Sequence, residues 1–108
     1  MKKIIIILIL LISYSMGGAY GEGYKIYKKA KVEMNKGNDA KAKELFSQSL
    51  KVFEKTKNSS QAILKIAELY CNGWGVNKDE KKAKEYLTKA KNLGASFIND
   101  KCLKKLQN

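Results

Sequence analysis

The sequence predicts an all-α protein made of stacked helix-turn-helix units, and three observations predict it. Apolar residues recur at three- and four-residue spacing through most of the chain after Glu22, the period of helices with one buried face. Glycines fall where that period breaks, at Gly37, at Gly73 and Gly75, and at Gly94. Glycine takes positive φ at little cost, which ends a helix and reverses the chain. The two halves also align with each other: Ala30 matches Ala67, Ala42 matches Ala83 and Phe46 matches Leu87. The additional residues of the second half all lie in the turn from Gly73 to Asp79, and an insertion confined to a turn is what a true repeat predicts.

The chain opens with MKKIIIILILLIS, two lysines ahead of an unbroken apolar run from Ile4 to Ile12, followed by small residues at Gly17, Gly18, Ala19 and Gly21. That order of charge, apolar run and cleavage zone predicts a secretory signal peptide over residues 1–21, with a mature start near Glu22. The other reading is an uncleaved anchor, for which the run is well short of the roughly 20 apolar residues a spanning helix needs. The expectation is an exported protein, periplasmic or secreted, that meets the membrane only through this segment before cleavage.

Residues 24–57 form the first expected repeat. Tyr24, Tyr27, Ala30 and Met34 share one face of a helix over 24–36, Gly37 stops it, and Asn38 or Asp39 caps the next. Ala42, Leu45, Phe46, Ser49, Leu50 and Phe53 mark a second amphipathic helix that ends in the polar turn from Thr56 to Ser60. Residues 60–93 form the second repeat. Ala62, Ile66, Ala67 and Tyr70 fall at helical spacing, Val76 is expected to tuck beneath the turn, and Asp79 is placed to cap the helix carrying Ala83, Tyr86, Leu87 and Ala90. Phe97, Ile98, Cys102, Leu103 and Leu106 predict a C-terminal capping helix over 95–106, with Lys104 and Lys105 where cations suit the dipole. Neither hairpin can bury its own apolar face, so stacking supplies the core.

The stretch from Ala62 to Ala90 carries a motif: Ala62, Ile66, Ala67, Tyr70, Gly73, Gly75, Val76, Asp79, Lys82, Ala83, Tyr86, Lys89 and Ala90 in fixed order. It resembles the Sel-one-like repeat, a longer-looped relative of the tetratricopeptide repeat, and the first hairpin looks like a plain tetratricopeptide unit. Lys29 and Glu33 depart from that pattern, where an apolar residue and an aromatic are usual. The resemblance implies an α-solenoid of two stacked repeats plus the capping helix, wound as a right-handed superhelix. It also implies a protein- or peptide-binding adaptor, in which the first helix of each hairpin lines a concave face. The positions so placed are Tyr24, Tyr27, Lys31, Met34 and Asn35 in the first unit, and Leu64, Glu68, Cys71 and Asn72 in the second. Aromatic, Met and amide side chains suit a peptide groove, while Tyr24 and Tyr27 fit equally well as the closed N-terminal edge of the stack. Trp74, the single tryptophan, either packs on the following helix or stands exposed as an anchor.

Composition narrows the function classes. The net charge is +12, carried by lysine alone among the basic residues. Arginine, with its bidentate fork, is the side chain that sequence-specific nucleic-acid sites favour, so such binding is not expected. Most lysines alternate with apolar residues along helices, as solvated faces do; attraction to anionic envelope surfaces is the alternative. Some exported proteins of the resembled type carry β-lactamase or penicillin-binder labels. That chemistry needs Ser-x-x-Lys, and Ser47, Ser49, Ser59, Ser60 and Ser96 are followed at the third place by Leu50, Val52, Ala62, Ile63 and Asn99. The chain contains no histidine, so neither a zinc-hydrolase cluster nor any other cofactor site is expected. No catalytic residues are assigned.

Cys71 and Cys102 are the two cysteines. A bridge suits an exported protein and would contribute on the order of 3 kcal/mol by closing about 30 residues. Cys102 also falls on a core position where a free thiol packs comfortably. Cysteine-rich relatives place their pairs elsewhere, at positions that correspond here to Ala62 or Ile98 and Lys91, so the resemblance does not settle the pairing. A mature domain this small buries only a marginal core, which leaves room for self-association.

Overall fold

A computed structural model describes residues 18–56 and 58–107. The described residues form five helices and no strand: α1 (Gly18–Asn35), α2 (Asp39–Phe53), α3 (Ser60–Asn72), α4 (Glu80–Asn92) and α5 (Lys101–Leu106). Helix α1 packs along α2 and α3 along α4, with α2 against α3 joining the two pairs and α5 resting on α3 and α4. The apolar run of the expected signal peptide lies outside the described residues, up to the first turn of α1. No helix among the described residues is long and apolar enough to cross a membrane.

The positions that align in sequence are buried together. Ala30 and Ala67 are both fully buried, as are Ala42 and Ala83, and Phe46 and Leu87 occupy matching places in the two cores. The first core joins Tyr27, Phe46, Leu50 and Phe53 to Ile63, Ile66 and Leu69 of α3. The second gathers Ala67, Cys71, Ala83, Leu87 and Leu103. Small residues at the alanine positions let the helices approach closely, and the large side chains beside them fill the space between.

Three helix starts are capped by side chains. The Ser59 hydroxyl accepts the Ala62 N–H at 3.2 Å, Asp79 accepts the Lys82 N–H at 3.0 Å, and Asp100 accepts the Leu103 N–H at 3.0 Å. Asn38 stands at the cap position of α2, but its amide instead donates to the Glu33 carboxylate at 2.7 Å. Gly73 ends α3 in the left-handed conformation, its N–H returning to Leu69. Gly75 has a second constraint. A Cβ there would sit 2.5 Å from the Ser47 nitrogen and 2.7 Å from the Phe46 Cβ, because the turn lies directly on α2.

Three expectations are corrected. Helix α1 is already helical at Gly18, the first described residue, rather than from Tyr24; Tyr20 packs on Phe53 with ring centroids 5.8 Å apart and Gly23 presses against the same ring. The expected capping helix over 95–106 is helical only from Lys101. Gly94, at φ +109, turns the chain out of α4 and Asp100 starts a new helix, so residues 95–100 cross back to the end of α3 and Phe97 is left 78% exposed. Trp74 packs on neither the following helix nor solvent alone. Its indole stacks on Phe46 of the preceding hairpin, with centroids 5.1 Å apart and planes 16° from parallel.

Candidate functional site: a cleft between the two hairpins

Where α1 faces α3, the fold leaves an open cleft of about 410 Å³ lined by Tyr27, Lys31, Lys65, Glu68, Asn72, Trp74, Asn99, Asp100 and Lys101. Helical period explains two walls. Tyr27 and Lys31 are four residues apart on α1, and Glu68 and Asn72 four apart on α3, so each pair stacks on one side of its helix. The glycine turn delivers Trp74 to the floor. The crossing segment before α5 supplies the third wall.

Tyr27, expected either to face a groove or to close the N-terminal edge of the stack, is 4% exposed and belongs to the core, its ring packed against both Phe46 and Trp74 at centroid distances of 5.8 and 6.5 Å. Its hydroxyl donates to Glu68 Oε1 at 2.7 Å across the hairpin boundary. Burial first, and then the Glu68 charge and this bond, push the phenol well above its ordinary range, so it stays protonated. Lys65 donates to Glu68 Oε2 at 3.0 Å. Glu68 is thus a buried carboxylate with both oxygens occupied, the condition under which a charge is tolerated away from water.

Asp100 is equally committed. Asn72 Nδ2 lies 3.1 and 3.2 Å from its two oxygens while also donating to the Glu68 carbonyl at 2.9 Å, and the Leu103 N–H takes Oδ2. The lysines differ. Lys31 Nζ rests 4.9 Å over the Trp74 ring and 5.7 Å over Tyr27, a cation–π placement at the cleft wall. Lys65 also sits 4.5 Å over Tyr27. Lys101 is exposed at the opposite rim.

Four of the expected binding residues therefore meet at this cleft: Tyr27, Lys31, Glu68 and Asn72. Tyr24 borders an adjoining groove with Lys28, Val32 and Lys65 and stacks on Tyr20 at 5.9 Å. Met34 and Leu64 are half-buried against the core instead, and Asn35 is exposed beyond the cleft end. Cys71 is fully buried and bonded to Cys102, their Cα atoms 6.0 Å apart. The expectation missed Lys65, Trp74 and residues 99–101. Lys65 stands three residues before Glu68 on one helix side, which could have flagged it; Asn99-Asp100 ahead of Lys101 is a readable cap signal.

The cleft's one hydroxyl, on Tyr27, is kept protonated, and its two carboxylates are engaged. Cys71, Asp100 and Cys102 offer ligand atoms within 4.8 Å of one another, but the two sulfurs bond each other and hold no thiolate for a metal. No protein-family model matches this chain, and no curated protein or solved structure shows significant similarity to it.

Proposed function

We propose that this is an exported two-unit α-solenoid, of the Sel-one-like and tetratricopeptide kind and wound in a right-handed sense, that binds an extended acidic segment of a partner protein in the cleft between its hairpins. The observation that carries the reading is the balance of hydrogen-bonding groups. Both carboxylates of the cleft are engaged internally, whereas Lys31 and Lys101 line it and have no hydrogen-bond or ion-pair partner among the described residues. A complementary ligand must be rich in acceptors and negatively charged. The aromatic floor under Lys31 lowers its mobility, which reduces the ordering cost of binding.

Trp74 reports on occupancy directly, since Lys31 lies over its indole. Hexaglutamate should change the tryptophan emission saturably, while hexalysine should not. Lys31→Gln should weaken hexaglutamate about tenfold, the loss of one charged hydrogen bond. Equal response to both peptides would reject the reading. A second reading, attachment to anionic envelope surfaces, draws on the groove lined by Lys25, Lys28, Lys29 and Lys41 around half-exposed Val32. It predicts binding to anionic vesicles that salt abolishes and that Lys31→Gln leaves unchanged. The β-lactamase label has no support from the groups that line the cleft.

A further inference from the structure

We propose that the Cys71–Cys102 bridge is a redox latch on the third wall of the cleft, docking that wall when oxidised and releasing it when reduced. The proposal rests on the cleft being the binding site and adds how that site is controlled. The bridge ties the last turn of α3 to the first turn of α5. Residues 99–101, which complete the cleft, run directly into the bridged cysteine. Opening and closing the bridge therefore acts on the wall without any intermediary.

Without the bridge, only side-chain contacts and hydrogen bonds hold the wall. Helix α5 has six residues, well short of the roughly 12 that an isolated helix needs in water. Its remaining ties are Leu103, fully buried in the cluster with Ala67, Ala83 and Leu87, Ile98 and Leu106, partly buried against that cluster, and the Asn72–Asp100 bonds. The first hairpin takes no part in the bridge. Cys71 is fully buried but Cys102 is only half-buried, so a reductant has access from the α5 side. Lys78, Glu80, Lys101 and Lys105 line the same hollow, and an Asp100 oxygen lies within 4.8 Å of both sulfurs, so charges of both signs bear on the thiolates that exchange requires.

With a dithiol reductant, one thiolate attacks a bridge sulfur to form a mixed disulfide and expel the other cysteine as thiolate. The reductant's second thiol then closes on the first. The protein bridge gains two electrons and two protons and ends as two thiols; the reductant loses both and ends as a cyclic disulfide. Release of α5 would withdraw Asp100 and Lys101 from the cleft and bare the apolar end of α3 and α4.

Amide hydrogen exchange on the full chain, with and without dithiothreitol, tests the latch. Reduction should raise exchange across residues 101–107 by about tenfold or more while α1 and α2 keep their protection. Unchanged exchange in α5 would overturn the proposal, because side-chain contacts alone would then hold the wall. Loss of protection throughout the chain would also overturn it, making the bridge a staple of the whole fold. Hexaglutamate titration followed by Trp74 emission tests the coupling. Affinity should fall about tenfold in the reduced protein and in Cys71→Ser/Cys102→Ser, with reoxidation restoring it only where both cysteines remain. Equal affinity in both redox states would overturn control of binding by the bridge. Absence of binding even when oxidised would overturn the acidic-segment reading instead, with hydrogen exchange still deciding the latch.

Discussion

The two hairpins place the same positions in their cores and hold them by different means. In the first, Tyr24 packs edge-on to Tyr27, with Phe46 and Trp74 against it, while Tyr20, on Phe53, lies ahead of the cleavage expected near Glu22. The second has one stacked ring pair, Tyr70 on Tyr86, and relies on Ala67, Ala83, Leu87 and Leu103 with a covalent tie through Cys71. Aromatic burial needs no external condition, whereas a disulfide depends on the redox state of its surroundings. The first half is thus held by packing alone and the second by packing and a bridge, and the cleft is built across the boundary between them.

The largest expected effect comes from truncating the matched core positions. Phe46→Ala removes a side chain that touches both Tyr27 and Trp74 and should cost about 4 kcal/mol. Leu87→Ala, at the equivalent place, should cost about 3 kcal/mol. Urea titrations of the two variants measure the difference, and a larger loss for Leu87→Ala would show that the aromatic half is not the more cohesive one.

The turns sharpen the same contrast. Gly37 and Gly75 both take positive φ, +85 and +75, but a Cβ at Gly37 meets nothing within 4 Å while one at Gly75 strikes the α2 backbone. Gly37→Ala should therefore cost about 1 kcal/mol for backbone strain alone. Gly75→Ala should cost about 3 kcal/mol, strain plus overpacking. Similar midpoints in thermal unfolding would mean that the longer turn does not rest on α2.

The last effect concerns the bond across the boundary. Tyr27→Phe keeps the ring and deletes the hydroxyl donated to Glu68, which should cost about 1.5 kcal/mol. Its pH signature is more telling than its size. Folding raises the Tyr27 phenol above the ordinary value of 10.0, so the stabilisation is fully present below that value and is lost as pH climbs beyond it. The wild-type protein should lose stability above about pH 10 more steeply than Tyr27→Phe. Parallel pH profiles would indicate that the phenol is not held neutral by the fold.

The alternation of apolar and lysine residues determined the helices, because a 3.6-residue period needs no tertiary information to recognise. Gly37, Gly73 and Asp79 likewise announced their turns and cap through local backbone chemistry. The stacking of Lys31, Glu68 and Asn72 on their helix sides was also legible, being a matter of spacing along one element. Other features depended on contacts distant in sequence. The helix was expected from Tyr24 because nothing local extends it further back; Gly23 lies inside it, and Phe53, thirty positions further on, leaves no room for a side chain there. Phe97 read as core until the crossing segment turned it outward. Tyr27 was open to two readings, groove or stack edge, until its packing on Phe46 and Trp74 placed its ring in the core. Whether Cys71 meets Cys102, and whether residues 99–101 close a cleft, depended on where the chain goes after Gly94. Local propensity decides which residues become helical; only the packing of one helix against another decides which polar groups find partners inside the molecule and which lysines remain to meet something outside it.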